Sequence, residues 1–85
     1  MLKITSVKYL RNYLIKISFV DGEKRTVDFL QYLNSSTNPE IRNYLCLENF
    51  KSFKIQNGDL TWGDFDLLFP IQDLYAGKVS AYILV

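Results

Sequence analysis

The sequence contains no histidine and only one cysteine, Cys46. Without histidine the chain lacks the Ser-His-Asp and Cys-His arrangements of nucleophilic enzymes and the two-histidine helix of zinc proteases. A single cysteine provides one of the three or four ligands that a zinc site usually needs, and it has no partner for an internal disulfide. These absences favour a protein that is not an enzyme and has no cofactor.

Long apolar runs are missing as well. No uncharged stretch approaches the roughly 20 residues of a membrane span, and lysines and arginines interrupt the N-terminal region where a signal peptide would be apolar. We therefore expect a cytoplasmic protein with no membrane contact. The 85 residues are enough for one domain, which we expect to cover residues 1–85.

Excess charge of either sign is also missing, since ten basic and nine acidic residues leave a net charge of +1. That balance makes nucleic acid an unlikely partner of the whole chain. The basic residues are concentrated, however, because residues 1–25 contain six of them against only Asp21 and Glu23. The six are Lys3, Lys8, Arg11, Lys16, Lys24 and Arg25.

Two β-hairpins are predicted from alternating apolar residues around turn sequences. In the first, a three-residue loop with a left-handed Gly22 pairs Ile15 with Val27 and Tyr13 with Phe29, which keeps the apolar faces together. Residues 3–10 are expected to add a strand before it. In the second, the tight Asn57-Gly58 turn sets Ile55 opposite Leu60 and Phe53 opposite Trp62.

Helices are predicted at two short segments. Asn38 followed by Pro39 is typical of a helix start, and Ile41, Tyr44 and Leu45 then share one face. Pro70 is expected to open a one-turn helix over residues 71–75 that Gly77 closes. The pattern as a whole predicts an α+β fold with a small, mostly antiparallel sheet of five or six strands and one or two short helices.

The C-terminal residues 79–85 form an apolar run with β-type residues. Both sides of such a strand are apolar, so we expect it to be covered. It is either a further strand of the domain's own sheet or the seam of a complex with another chain.

Candidate binding residues are Trp62, Asp64, Asp66, Tyr75 and Tyr82. In an extended segment Asp64 and Asp66 point the same way, which suits acid–base chemistry or a hard cation, although capping of a turn is the simpler interpretation. Trp62 is either a core residue or a partly exposed recognition aromatic.

Two further features have structural and functional interpretations. Cys46, between Leu45 and Leu47, is expected to be a buried structural thiol rather than a reactive one. Tyr9, Tyr13 and Tyr32 lie near basic residues in the sequence. They are expected to be sheet-edge aromatics, and the alternative is an aromatic and basic surface that stacks nucleic-acid bases.

The order of several short motifs resembles a known family. Phe19-x-Asp21-Gly22 is followed by Val27-Asp28-Phe29, then Phe50 before the Asn-Gly hairpin, Trp62 with an aspartate, and Leu74-Tyr75. In this order the sequence resembles the bacterial domain of unknown function 2442 over about residues 2–75. The segment between Asp66 and Pro70 is longer than the resemblance implies, and residues 80–85 extend past the usual Leu-Tyr end.

The resemblance implies a small protein for which no catalytic residues are established. Some relatives carry a helix-turn-helix domain behind this one, and we do not expect their DNA-binding role to transfer to these 85 residues. Others are encoded beside another small protein in toxin–antitoxin-like pairs. The leading hypothesis is therefore a non-catalytic protein-interaction module, antitoxin-like, that binds another small protein or itself. The alternative is a nucleic-acid-associated regulator that uses the basic N-terminal hairpin.

Overall fold

The computed structural model describes residues 2–63 and 67–77, and these contain six strands and four α-helices. The strands are β1 (Ile4–Arg11), β2 (Leu14–Phe19), β3 (Lys24–Asp28), β4 (Lys54–Gln56), β5 (Asp59–Trp62) and β6 (Leu67–Leu68). The helices are α1 (Leu30–Ser35), α2 (Pro39–Arg42), α3 (Leu47–Phe50) and α4 (Ile71–Ala76), with a 3-10 turn at Asn43–Leu45.

The strands form two antiparallel sheets rather than the single sheet expected from the sequence. The first sheet has the order β1-β2-β3 and the second the order β4-β5-β6. The two meet where the Ile4 amide donates to the Gly58 carbonyl at 3.1 Å. The prediction of a mixed, antiparallel α+β fold is confirmed, whereas the number of helices was underestimated.

The registers of both hairpins are confirmed. Ile15 pairs with Val27, and the Phe29 amide donates to the Tyr13 carbonyl at 3.0 Å. Gly22 has a φ of 91°, the left-handed conformation that the three-residue loop requires. In the second hairpin Ile55 pairs with Leu60, and the rings of Phe53 and Trp62 are 6.2 Å apart.

The predicted start of α2 and the predicted end of α4 are confirmed, whereas the helix expected to carry Ile41, Tyr44 and Leu45 on one face ends at Arg42 and is followed by the 3-10 turn. The Asn38 side chain accepts from the Glu40 amide at the start of α2, with Pro39 at the first helical position. Gly77 ends α4 in the left-handed conformation. Helices α1 and α3 and strand β6 were not predicted.

The core lies between the inner face of the first sheet, the second sheet and the helices. An aromatic cluster fills its centre, where Trp62 stacks on Phe50 with ring centroids 5.6 Å apart and meets Phe29 edge-on at 5.5 Å. Buried aliphatic residues of both sheets and of α1 and α4 surround this cluster.

The expectation of a buried Cys46 was wrong, because its thiol is exposed. Cys46 has extended backbone angles and lies at the junction between the 3-10 turn and α3. At that junction the core-facing positions are Tyr44 and Phe50, so the apolar neighbours in sequence do not bury the residue between them.

Candidate functional site

Alternation along the strands of the first sheet separates a buried face from a solvent-facing one, on which the residues of β2 are half-buried. We call the second the outer face, and it consists of Ser6, Lys8, Arg11, Leu14, Lys16, Ser18, Lys24, Thr26 and Asp28. The other face carries buried Ile15, Ile17 and Val27. Four basic side chains against one acidic side chain give the outer face a charge of +3.

The registers place like charges side by side on the outer face. Lys8 of β1 is directly opposite Lys16 of β2. Lys16 is opposite Thr26, so Lys24, two residues earlier in β3, is its diagonal neighbour. Like charges directly opposite each other destabilise a sheet.

No carboxylate neutralises these lysines within the described part of the chain. The ion pair found there joins Arg25 to Glu23 at 3.7 Å and leaves the three lysines unpaired. Asp28, the acidic residue of the outer face, accepts the Leu30 amide at 3.0 Å and so caps the start of α1. Within residues 2–63 and 67–77, the outer face therefore carries an excess of positive charge.

The tyrosines near these basic residues in sequence lie on the core side instead. The rings of Tyr9 and Tyr13 pack edge-on against Phe50, and Tyr32 packs against Phe69. The Tyr13 hydroxyl also donates to the Leu45 carbonyl. These contacts agree with the expected sheet-edge packing, and strand alternation turns Tyr9 away from Lys8 and Lys16. The Lys51 ammonium lies 5.0 Å from the centre of the Tyr9 ring.

A second cluster joins the β2–β3 loop to α4. The Tyr75 hydroxyl donates to Asp21 Oδ2 at 2.7 Å, and Arg25 Nε donates to the Tyr75 carbonyl at 2.9 Å. The Arg25 guanidinium lies 4.6 Å from the centre of the Tyr75 ring, within the range of a cation–π contact. We call this arrangement of Asp21, Arg25 and Tyr75 the loop–helix contact.

Hydrogen bonds within the loop–helix contact shift the pKa values of Asp21 and Tyr75. The pKa of Asp21 is lowered, first by the Glu23 amide that donates to Oδ1 at 2.9 Å and then by the Tyr75 hydroxyl. The pKa of Tyr75 is raised, mainly because its hydroxyl donates to Asp21. A carboxylate with a lowered pKa is a weak base, which suits a structural contact better than proton transfer near neutral pH.

The candidate Trp62 lies in the core with 0% of its surface exposed, and its indole N–H donates to the Phe50 carbonyl at 2.7 Å. Its side chain therefore has no surface to offer a partner, so Trp62 is a core residue rather than a partly exposed recognition aromatic. Asp64, Asp66, Tyr82 and the run 79–85 lie outside the described residues. Within residues 2–63 and 67–77, no group of three or more acidic or cysteine side chains is placed to hold a metal ion.

A family model described as a protein of unknown function, DUF2442, matches residues 4–80. The chain belongs to the DUF2442 family. The match covers most of the chain and confirms the family indicated by the order of the motifs. No curated protein and no solved structure matches the chain. No helix among the described residues is long and apolar enough to cross a membrane.

The fold explains two motifs of this DUF2442 chain that lie far apart in sequence. Asp21 of Phe19-x-Asp21-Gly22 and Tyr75 of Leu74-Tyr75 meet in the loop–helix contact, and Phe19 packs edge-on against Tyr75 at 4.9 Å. Tyr75 was a candidate from the sequence, whereas Asp21 and Arg25 were not. The joint presence of the two motifs is the sequence signal that links Asp21 to Tyr75.

The arrangement of Lys8, Lys16 and Lys24 in a row was not predicted, although all three belong to the basic N-terminal hairpin considered from the sequence as an alternative binding surface. Their concentration in residues 1–25 was visible, but the pairing of Lys8 with Lys16 depends on the register of β1. That register shifts twice, between Ile4 and Ser6 and between Tyr9 and Arg11. The signal that was available is the alternation of β2, which places Lys16 on the face opposite to Ile15 and Ile17.

Proposed function

We propose that this DUF2442 protein is a non-catalytic, antitoxin-like interaction module that binds another small protein through the outer face of its first sheet. The observation that carries the proposal is the placement of exposed Lys8 directly opposite half-buried Lys16 on the outer face. The basic residues and the small hydroxyl residues around them form a continuous surface over three strands.

The pairing of Lys8 with Lys16 lowers the stability of the folded sheet. An unfavourable cross-strand pair costs on the order of 0.2–1 kcal/mol of stability, and a glutamate at either position would remove that cost. Local choices that reduce stability are expected at functional sites, where the gain is realised when a partner binds. An anionic partner supplies negative charge that offsets the excess of basic side chains on the outer face.

The same charges argue for a partner different from this chain. A two-fold dimer through the outer face would bring the same patch of each copy together, so lysines would meet lysines. Like-charge contacts across an interface disfavour that complex. Binding to another small protein is therefore preferred over self-association at this surface.

A non-catalytic role is supported by the chemistry of the candidate groups. The chain has no histidine, and the hydrogen bonds to Asp21 lower its pKa rather than raise it toward neutrality. We place the binding in the cytoplasm, where reducing conditions keep a free, exposed thiol such as that of Cys46 reduced.

The second candidate function is that of a nucleic-acid-associated regulator. The basic outer face favours it, because phosphate contacts by lysine and arginine supply most non-specific affinity. The position of Tyr9, Tyr13 and Tyr32 on the core side weighs against it, since single strands are bound largely by stacking on aromatic rings.

The test is co-expression of the full chain with the product of the adjacent gene, followed by size-exclusion chromatography. We expect co-elution that is lost in the double variant Lys8→Gln/Lys16→Gln. The matched control is Lys54→Gln, an exposed lysine on the second sheet. Absence of a complex with the full chain, or a complex that survives the double variant unchanged, would overturn the proposal.

A further inference from the structure

The three lysines of the outer face form a short row across the whole first sheet. Lys8 lies on β1, Lys16 on β2 and Lys24 on β3. Neighbouring strands are about 4.8 Å apart, so the row crosses roughly 10 Å. The size of this row sets the size of the anionic group that can meet all three charges at once.

The residues between the lysines are small and polar. Ser6 is adjacent to Ser18 across β1 and β2 through their register, and Thr26 lies opposite Lys16. Short hydroxyl side chains leave room above the sheet for the lysine ammonium groups to reach an incoming carboxylate. A hydroxyl can also donate a hydrogen bond to a carboxylate oxygen.

Carboxylates of the chain itself lie at both ends of β3. Asp21 and Glu23 precede Lys24 in the β2–β3 loop, where Asp21 bonds to Tyr75 and Glu23 pairs with Arg25. Asp28 lies at the other end of β3, opposite Leu14 of β2. A long phosphate backbone that extends along β3 beyond the row approaches these negative charges, whereas a compact acidic patch that ends with the row does not.

We infer that the outer face binds an acidic patch of a partner protein, in which two or three carboxylates lie within about 10 Å of one another. This inference rests on the proposed function and specifies the chemistry of the partner. Lysine ammonium groups are compact, strongly hydrated charges on flexible stems, so they accommodate carboxylates without a fixed bidentate geometry. Electrostatic complementarity of this kind raises the rate of association and selects against other partners.

The test is a titration of the full chain, followed by two-dimensional ¹H–¹⁵N NMR, with a blocked hexaglutamate peptide. Hexaglutamine is the uncharged control peptide, and a 20-base-pair duplex DNA and a single-stranded RNA are the competing anions. We expect hexaglutamate to shift the amides of β1, β2 and β3 and to bind more tightly than the other three probes. In Lys8→Gln/Lys16→Gln its affinity should fall roughly fivefold, as the loss of two exposed ion pairs implies, with no change in Lys54→Gln.

Three results would overturn the inference. In the first, hexaglutamate binds no better than hexaglutamine. In the second, Lys54→Gln weakens the binding of hexaglutamate as much as the double variant does. In the third case, duplex DNA or RNA binds more tightly than hexaglutamate and loses that binding in the double variant, which assigns the face to nucleic acid. If hexaglutamate fails while the co-expressed complex still depends on Lys8 and Lys16, the acidic-patch inference falls and the proposed function stands.

Discussion

At the scale of single residues, Trp62 combines burial with a specific hydrogen bond. Its ring lies among Phe29, Phe50 and Phe69, and its indole N–H donates to the Phe50 carbonyl at 2.7 Å. A buried carbonyl without a donor is costly, so the indole satisfies Phe50 as well as filling space. The residue thus connects β5 to the end of α3.

Truncation of Trp62 tests this role. Trp62→Ala should lower the free energy of unfolding by about 3–5 kcal/mol, because it leaves a large cavity in the centre of the core. Trp62→Phe should cost less, since it keeps an aromatic ring and loses the hydrogen bond. Urea unfolding followed by circular dichroism measures both, and an unchanged midpoint in Trp62→Ala would refute the central position of this ring.

Asp21 gives the stability a defined pH dependence. Its pKa in the folded protein is lowered from 3.8, so the folded state favours the ionised carboxylate. The stabilisation is fully present above pH 3.8, the value for the unfolded chain, and is lost as the pH falls through the lower folded value. Asp21→Asn should therefore have a lower urea midpoint than the natural protein at pH 7, and the two midpoints should converge below pH 3.8.

Tyr75→Phe is the control for that experiment, because it removes the hydroxyl that donates to Asp21 and leaves the carboxylate and the Glu23 amide in place. It should weaken the pH dependence without abolishing it. A difference between Asp21→Asn and the natural protein that stays constant from pH 7 to pH 3 would contradict the loop–helix contact.

At the scale of elements, the hairpins were the part of the fold most open to prediction from the sequence. Period-2 alternation and the turn residues Gly22 and Asn57-Gly58 limit each hairpin to one register that keeps apolar faces together. Local chemistry was also sufficient for the caps at Asn38 and Gly77. These features depend on residues only a few positions apart.

Elements that depend on distant contacts were missed. Strand β6 has two residues, Leu67–Leu68, which is too short for alternation, and it forms by pairing with β5. Helix α1 follows β3 with only Phe29 between them, and Leu33 is its one buried residue, so no helical period is visible in the sequence. Tertiary packing rather than local preference stabilises such short helices.

The cap of α2 provides a local test at this scale. The Asn38 side chain accepts from the Glu40 amide at 3.0 Å. Asn38→Ala should lower the free energy of unfolding by about 1 kcal/mol, whereas Asn38→Asp should keep the acceptor and most of the stability. Thermal unfolding of the three proteins measures this, and equal melting temperatures for Asn38→Ala and the natural protein would mean that the cap does not contribute.

At the scale of the whole molecule, the first sheet has two different faces. One face contributes Ile15, Ile17 and Val27 to the core, and the other carries three lysines and one arginine. The net charge of +1 hides this separation, because most acidic residues come after residue 25. The overall charge therefore argued against an anionic partner, although the basic residues are concentrated in residues 1–25. The strand registers place four of those residues on one face.

We propose that Lys8 and Lys16 lie opposite each other at a cost in stability that binding of an anionic partner offsets. The most direct measurement is to determine both the melting temperature and the partner complex for Lys8→Glu. A glutamate opposite Lys16 replaces repulsion with attraction and should stabilise the fold by up to about 1 kcal/mol. For a domain of this size that is a rise of roughly 4–8 °C. We expect this higher melting temperature for Lys8→Glu together with loss of its complex with the adjacent gene product. A variant that is less stable than the natural protein, or that binds the partner equally well, would contradict it.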